Sequence, residues 1–411
     1  MSPRDSAGAA SAAEAGPGRS RPQAPPTWLL VALTSIGPFT LQILVPSLPG
    51  LARLFGVGAA SAQLALTGYL AGVAIGQLLY GPLSDRYGRK PLVVAGLVVF
   101  LAASLGAALA TSVAGLILGR IAQAVGGCSG MVLARAMIRD CFPRDRSASV
   151  MAFVLAGMTA APMLAPVIGG VIDETLGWRA ILLLTAVAGA GLFAAVLLRL
   201  DETLPAPYPL PGIAGFLRAN LGLLRLPDFL LFAGAFSASS GVFFSFLGGA
   251  PFVAVEGLGL APTTYGVAFA VVSVAYAGGN MVTARLAQRL GIGRLLRFGT
   301  TVTFLGAALA LGLVLVRPPS LLNLFAPALL MAVGNGIAQA NALAGAVSVR
   351  QTLAGTASGL AGAMQMGFGA LATVAVAAME TGSGVATAAV MLASATFCQA
   401  ILLVGRRGGL H

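Results

Sequence analysis

Charge is what this 411-residue chain has least of: 9% of its residues are Asp, Glu, Lys or Arg, against about 25% in an ordinary soluble domain. Hydrophobic residues make up 58%. No soluble fold of this length needs so much apolar surface, whereas one that faces lipid does. Histidine is missing apart from His411, the last residue, so none is embedded for acid–base chemistry. Cys128, Cys141 and Cys398 show neither pairing nor metal spacing, and no disulfide framework or zinc site is expected. All twelve acids fall in tails, loops or the ends of the apolar runs. An enzyme is therefore the least expected class, and no cofactor or metal is expected.

Long uncharged runs fill the space left by the missing charge. Eleven uncharged intervals, from 28–52 to 381–405, are each long enough to cross a bilayer, which takes about 17–25 residues in a helix. A twelfth crossing near 113–137 is interrupted by Arg120 and, at its end, by Arg135. Barrel strands would show alternating segments of about 10 residues instead. The expected class is an all-α integral membrane protein with twelve transmembrane helices in two pseudo-symmetric six-helix bundles. We number these crossings as spans, first to twelfth.

The net charge of +12 suggests nucleic acid until its distribution is considered. With the N-terminus in the cytoplasm, twenty of the 24 basic residues fall on the cytoplasmic side. Only Arg53, Arg179 and Arg317 lie in outer turns, and Arg120 lies within a helix. That is the positive-inside bias of a multi-pass membrane protein, with both termini cytoplasmic. The bilayer is therefore an expected partner, and nucleic acid is not.

Composition divides the chain further. Residues 1–26, rich in Ala, Gly, Ser and Pro, read as a disordered tail. The apolar run after them is too long for a signal-peptide core and reads as an uncleaved first helix. An N-terminal bundle is expected over 27–199, a cytoplasmic linker over 200–226, a C-terminal bundle over 227–405 and a short tail over 406–411. The linker holds Asp201, Glu202 and four prolines between 205 and 211; its later part reads either as an interfacial helix or as solvated chain.

Between the second and third spans lies Gly-Pro-Leu-Ser-Asp-Arg-Tyr-Gly-Arg-Lys, residues 81–90, a tight charged turn between two apolar runs. Gly88 permits a sharp turn, and the basic residues suit an anionic lipid surface. Neither explains Asp85. A weaker echo, Arg285 to Arg294, joins the eighth and ninth spans and aligns Leu286, Arg289 and Gly291 with Leu83, Arg86 and Gly88. Repeated halves with a site between them are a transporter design.

Further patterns sit on the spans. Arg120 needs a polar surrounding or a function, because insertion of an arginine costs at least about 2.5–3.5 kcal/mol. Gln123 shares its face one turn on, and Gln42 of the first span is a candidate partner. On the fifth span, Pro162 and Pro166 precede the pair Gly169 and Gly170, which lets a neighbouring helix approach closely.

The decapeptide resembles the loop between helices 2 and 3 of the major facilitator superfamily, G-x-L-[AS]-D-R-x-G-R-[KR], at every defined position. Residues 120–127 resemble its helix-4 pattern, with Ala124 in place of a glycine. Residues 161–170 resemble the antiporter helix-5 motif, with Ala165 in place of another. With Gly68-Tyr69, Gly249 to Phe252 and Gly355 to Gly359, nearly the whole chain is similar to bicyclomycin-resistance (Bcr/CflA) type drug:proton antiporters. The resemblance implies the major facilitator fold and a bacterial cytoplasmic membrane. It implies a gating latch of Gly81, Asp85, Arg86, Gly88, Arg89 and Lys90, with Arg135, Arg139 and Asp140 as candidate partners of Asp85. It implies a central cavity for which Phe39, Gln42, Phe236, Phe243, Asn335 and Gln339 are candidates. Many members carry an acid where this chain has Gln42, so protons would be sought first at Asp228, Asp85 and Asp140.

The function that the resemblance implies is export of drug-like small molecules by alternating access with proton antiport, by a functional monomer whose partners are a small-molecule substrate and protons. A proton-independent exporter or facilitator of an anionic metabolite, drawn by Arg120, is the alternative. A transport-dead receptor or scaffold is disfavoured, since no soluble module exceeds the short tail or linker.

Overall fold

A computed structural model describes residues 23–142, 144–204, 213–350, 353–379 and 382–407. Most of the tail assigned to 1–26, the prolines at 205–211 and residues 408–411 lie outside the described residues. Among those described there is no strand, and twelve helical spans are long and apolar enough to cross a membrane. In order they are Thr27–Phe55, Ala59–Tyr87, Arg89–Ala108, Val113–Cys141, Ser149–Leu176, Trp178–Arg199, Pro227–Gly257, Pro262–Leu290, Ile292–Val316, Leu321–Ser348, Ala354–Met379 and Val385–Gly405. A further helix, Ile213–Leu224, forms where the composition left helix and solvated chain open.

The first span is broken. Its main helix ends at Ile43, a 3-10 turn covers Val45–Ser47, and a short helix runs Leu48–Phe55. Pro46 and Pro49 lie at the break, and neither can donate the amide that would carry the helix ladder through. The break leaves last-turn carbonyls without helical partners.

The two charged turns between spans share one backbone solution. Gly88 caps the third span at φ 96°, ψ 157°, and Gly291 caps the ninth at φ 78°, ψ 152°. Both lie in a region that only glycine occupies freely. The weak echo between the halves is thus a repeated turn.

Six spans from each half pack mainly among themselves, and the halves meet along two long seams. One joins the second span to the eleventh, the other the fifth to the eighth. We call the end of the molecule with the 85–90 turn the basic end, and the opposite one the far end. Large apolar side chains such as Leu109, Val187, Leu198, Leu322 and Val316 stand on the outside, where water would penalise them and lipid does not.

Packing between neighbouring spans relies on backbone approaching backbone. A Cβ on Gly126 of the fourth span would sit 2.5 Å from the Phe100 amide nitrogen and 2.9 Å from its Cα. Backbone cannot yield as a flexible side chain does. Gly126→Val is expected to lower stability by about 1–3 kcal/mol, whereas Gly106→Val, in open space, should be neutral or stabilising. Thermal unfolding in detergent compares the two.

Candidate functional site

At the basic end, charge is organised around Arg89. Its guanidinium is buried and reaches Asp85 Oδ1 at 2.6 Å and Asp140 Oδ2 at 2.9 Å, with the Ser84 hydroxyl as a further acceptor. The expectation that Asp85 faces Arg135 and Arg139 is therefore corrected. A buried cation needs counter-charge more than an exposed one does, and Arg89 takes both carboxylates. Arg135 points elsewhere: it donates to Met131 O and, across the seam, to Ser358 Oγ at 3.3 Å on the eleventh span. The Arg139 guanidinium lies beside Gly355, where a Cβ would meet its Nη1 at 3.1 Å. Arg86 is exposed and stands over the Tyr87 ring. Gly81 has open space around it.

Glu202 completes this end, and the sequence pattern did not single it out. Its carboxylate accepts the amides of Arg89 at 2.9 Å and Lys90 at 3.2 Å, the first two of the third span. Those amides have no helical acceptor. A Cβ on Gly88 would fall against Glu202 Oε2, so the glycine serves both the turn and the space for the cap.

Deeper in the first half, Arg120 is 1% exposed. It donates to Thr40 O at 3.0 Å, Leu41 O at 3.3 Å and Gln123 Oε1 at 2.7 Å. Its plane lies 4.3 Å over the Tyr69 ring. The broken first span explains this placement: the last-turn carbonyls are free, and the negative end of the helix dipole favours a cation. Gln42 is not its partner. That side chain is buried, and its Oε1 has no hydrogen bond among the described residues. Gln123 passes the network on to Ser104 Oγ at 2.7 Å and Thr185 Oγ1 at 3.2 Å.

On the fifth span, one continuous helix carries Pro162 and Pro166. The two glycines beyond them receive different neighbours. A Cβ on Gly169 would collide with Ile43 O of the first span, and one on Gly170 would lie 2.7 Å from Thr263 N of the eighth. Pro166 O in turn leaves no room for a side chain at Gly266. This stretch is clamped between two spans, one from each half.

In the second half, Asn335 and Gln339 join an uncharged polar cluster. Asn335 bonds to Ser239, Gln339 accepts from Tyr276 Oη at 3.2 Å, and Gln365 reaches Ser240 Oγ at 2.8 Å and Gln339 at 3.5 Å. Tyr276 and Gln365 were not anticipated; a lone amide in the apolar eleventh span was the available signal. Phe243 is half-buried and stands edge-on to Phe244 and Phe269. Phe236 instead packs in a separate core with Leu223, Ala338 and Leu360. Phe39 is half-buried on the first span, and Asp228 is exposed in the first turn of the seventh.

Comparison with known proteins follows this geometry. Residues 30–373 match the Major Facilitator Superfamily. The chain is 31% identical over 372 residues to multidrug resistance protein D of Escherichia coli (strain K12), covering 87% of this chain and 89% of that one. It is 29% identical over 378 residues to a bicyclomycin resistance protein homolog of Haemophilus influenzae, covering 90% and 92%. In fold it is similar to a peptide transporter, POT, solved with sulfate, with a TM-score of 0.74 at 13% identity and coverage of 93% of this chain and 94% of that one.

Three substitutions probe these networks. Arg120→Lys keeps the charge but loses the planar fork that serves two carbonyls and an amide at once; each buried acceptor left unpaired is expected to cost about 1–3 kcal/mol. Arg89→Ala is expected to destabilise more than Asp85→Asn, because it leaves two neighbouring carboxylates without their shared cation. Unfolding midpoints in detergent give both results.

Proposed function

Because the chain belongs to the major facilitator superfamily, we propose that it exports drug-like small molecules across a bacterial inner membrane by alternating access coupled to protons. The basic end is cytoplasmic in this reading, as are both termini, in line with the charge bias along the chain. The names of relatives over most of the chain support drug export: multidrug resistance and bicyclomycin resistance.

The observation that carries alternating access is the nature of the seams. Among the described residues, hydrogen bonds across them are few and none belongs to an ion pair. Thr67 and Thr373 hydroxyls meet at 2.8 Å, Gln63 donates to Gly248 O at 2.9 Å, and Arg135 reaches Ser358. Each contributes on the order of 1 kcal/mol, so the halves can part at one end while staying joined at the other. The hollow beside Arg120, lined by Leu41, Leu44 and Leu66 among others, has no room even for a water molecule, whereas a drug-sized site needs roughly 300–1,000 Å³. Substrate entry therefore requires that parting. In the opened cavity, Arg120, Gln42 and the amides Asn335, Gln339 and Gln365 would meet substrate.

A second reading rests on Arg120 itself. Among the described residues both ion pairs involve Arg89, which leaves Arg120 a buried cation without a carboxylate. That favours an anionic substrate moved without protons.

Expression in a pump-deficient host, with a panel of antibiotics and dyes, separates the readings. Antiport predicts lowered accumulation that a protonophore restores. Efflux that survives collapse of the proton gradient removes the antiport and leaves the facilitator. Gln42→Asp is expected to alter the dependence on the gradient only if an antiport mechanism operates.

A further inference from the structure

The eighth span begins Ala261-Pro262-Thr263, and an alanine at the N-cap has no side-chain acceptor for the first amides. The missing acceptor comes from the other half. Glu174, near the far end of the fifth span, accepts the Thr263 amide at 2.7 Å through Oε1. Beneath that bond the backbones are in contact, with Gly170 against Pro262 and Thr263. Among the described residues, Glu174 is the acid whose hydrogen bond reaches the opposite half; Asp85, Asp140 and Glu202 bond within their own.

We propose that Glu174 closes the far end of the transporter by capping the eighth span across the seam, a positioning residue for alternating access. The bond cannot outlast separation of the fifth and eighth spans, because its donor and acceptor lie on different halves. Opening the far end strips the Thr263 amide of its acceptor and removes a carboxylate from the positive end of a helix dipole. Closing restores both. Glu174 is exposed, which keeps the contribution small enough to be broken in every cycle. At the same end, the short helix Leu48–Phe55 packs on Phe252–Gly257, so the closed state is also sealed by apolar contact.

The proposal rests on the transport reading, but its test reads conformation and not transport. Spin labels go on cysteines introduced at Leu54 and Leu322, exposed positions near the far end of each half; the native cysteines are buried. Pulsed dipolar spectroscopy in lipid nanodiscs then gives the distance distribution. Glu174→Ala is expected to raise the long-distance population roughly fivefold, the scale of one lost cap. The double variant Glu174→Ala with Ala261→Ser gives the eighth span a cap of its own. It is expected to recover thermal stability and to stay open.

If Ala261→Ser restores the closed distance, Glu174 serves helix stability alone and the proposal is overturned. Unchanged distances in Glu174→Ala overturn it too. Should Glu174→Ala fold poorly, the double variant carries the same measurement with its helix start repaired. Failure to transport any compound would count against the export reading while leaving these distances interpretable.

Discussion

Nothing in the hydrocarbon of a bilayer can solvate a backbone group or a charge, and the polar architecture of this protein follows from that constraint. The break in the first span frees carbonyls at Thr40 and Leu41, and Arg120 of the fourth span takes them. One feature would be costly without the other. An arginine in an unbroken apolar bundle would lack acceptors, and a broken helix without it would expose unpaired carbonyls. Gln123, Ser104 and Thr185 extend the same network into the third and sixth spans, so four elements are held by one guanidinium and one amide.

The two ends of the molecule solve a second problem, that of helix starts, with acids brought from elsewhere. Glu202 serves the third span from beyond the sixth, and Glu174 serves the eighth from the fifth. The first cap lies within one half and so can persist through a rocking motion. The second crosses between halves and cannot. The same chemistry thus fastens a turn in one place and registers the relative position of the halves in the other.

Much of the fold was legible because lipid makes strong demands on composition. Long uncharged runs gave the spans, and the structure has helices at all twelve. The turn at Gly88 and its echo at Gly291 were legible because a glycine-only conformation leaves a glycine in the sequence. The candidate site was legible by residue type and less so by partner. Arg120 and Gln123 stood out as polar groups in apolar helices, and they do meet. Their partner on the first span was misjudged, since a backbone carbonyl freed by a helix break has no side-chain signature. Asp85 was likewise assigned to Arg135 and Arg139, when Arg89, four residues along, takes it together with Asp140.

The sequence by itself determined that this chain spans a membrane with helices, and where each one runs. Both follow from the transfer cost of charge and from the length a helix needs. It also determined where close packing is permitted, through glycines at 126, 169 and 170. Only the tertiary structure decided which groups pair. Glu174 with Thr263, Arg135 with Ser358, and Thr67 with Thr373 are each separated by some ninety to more than three hundred residues along the chain. Pairing at that range depends on how two bundles are laid against each other, and local periodicity carries no record of it.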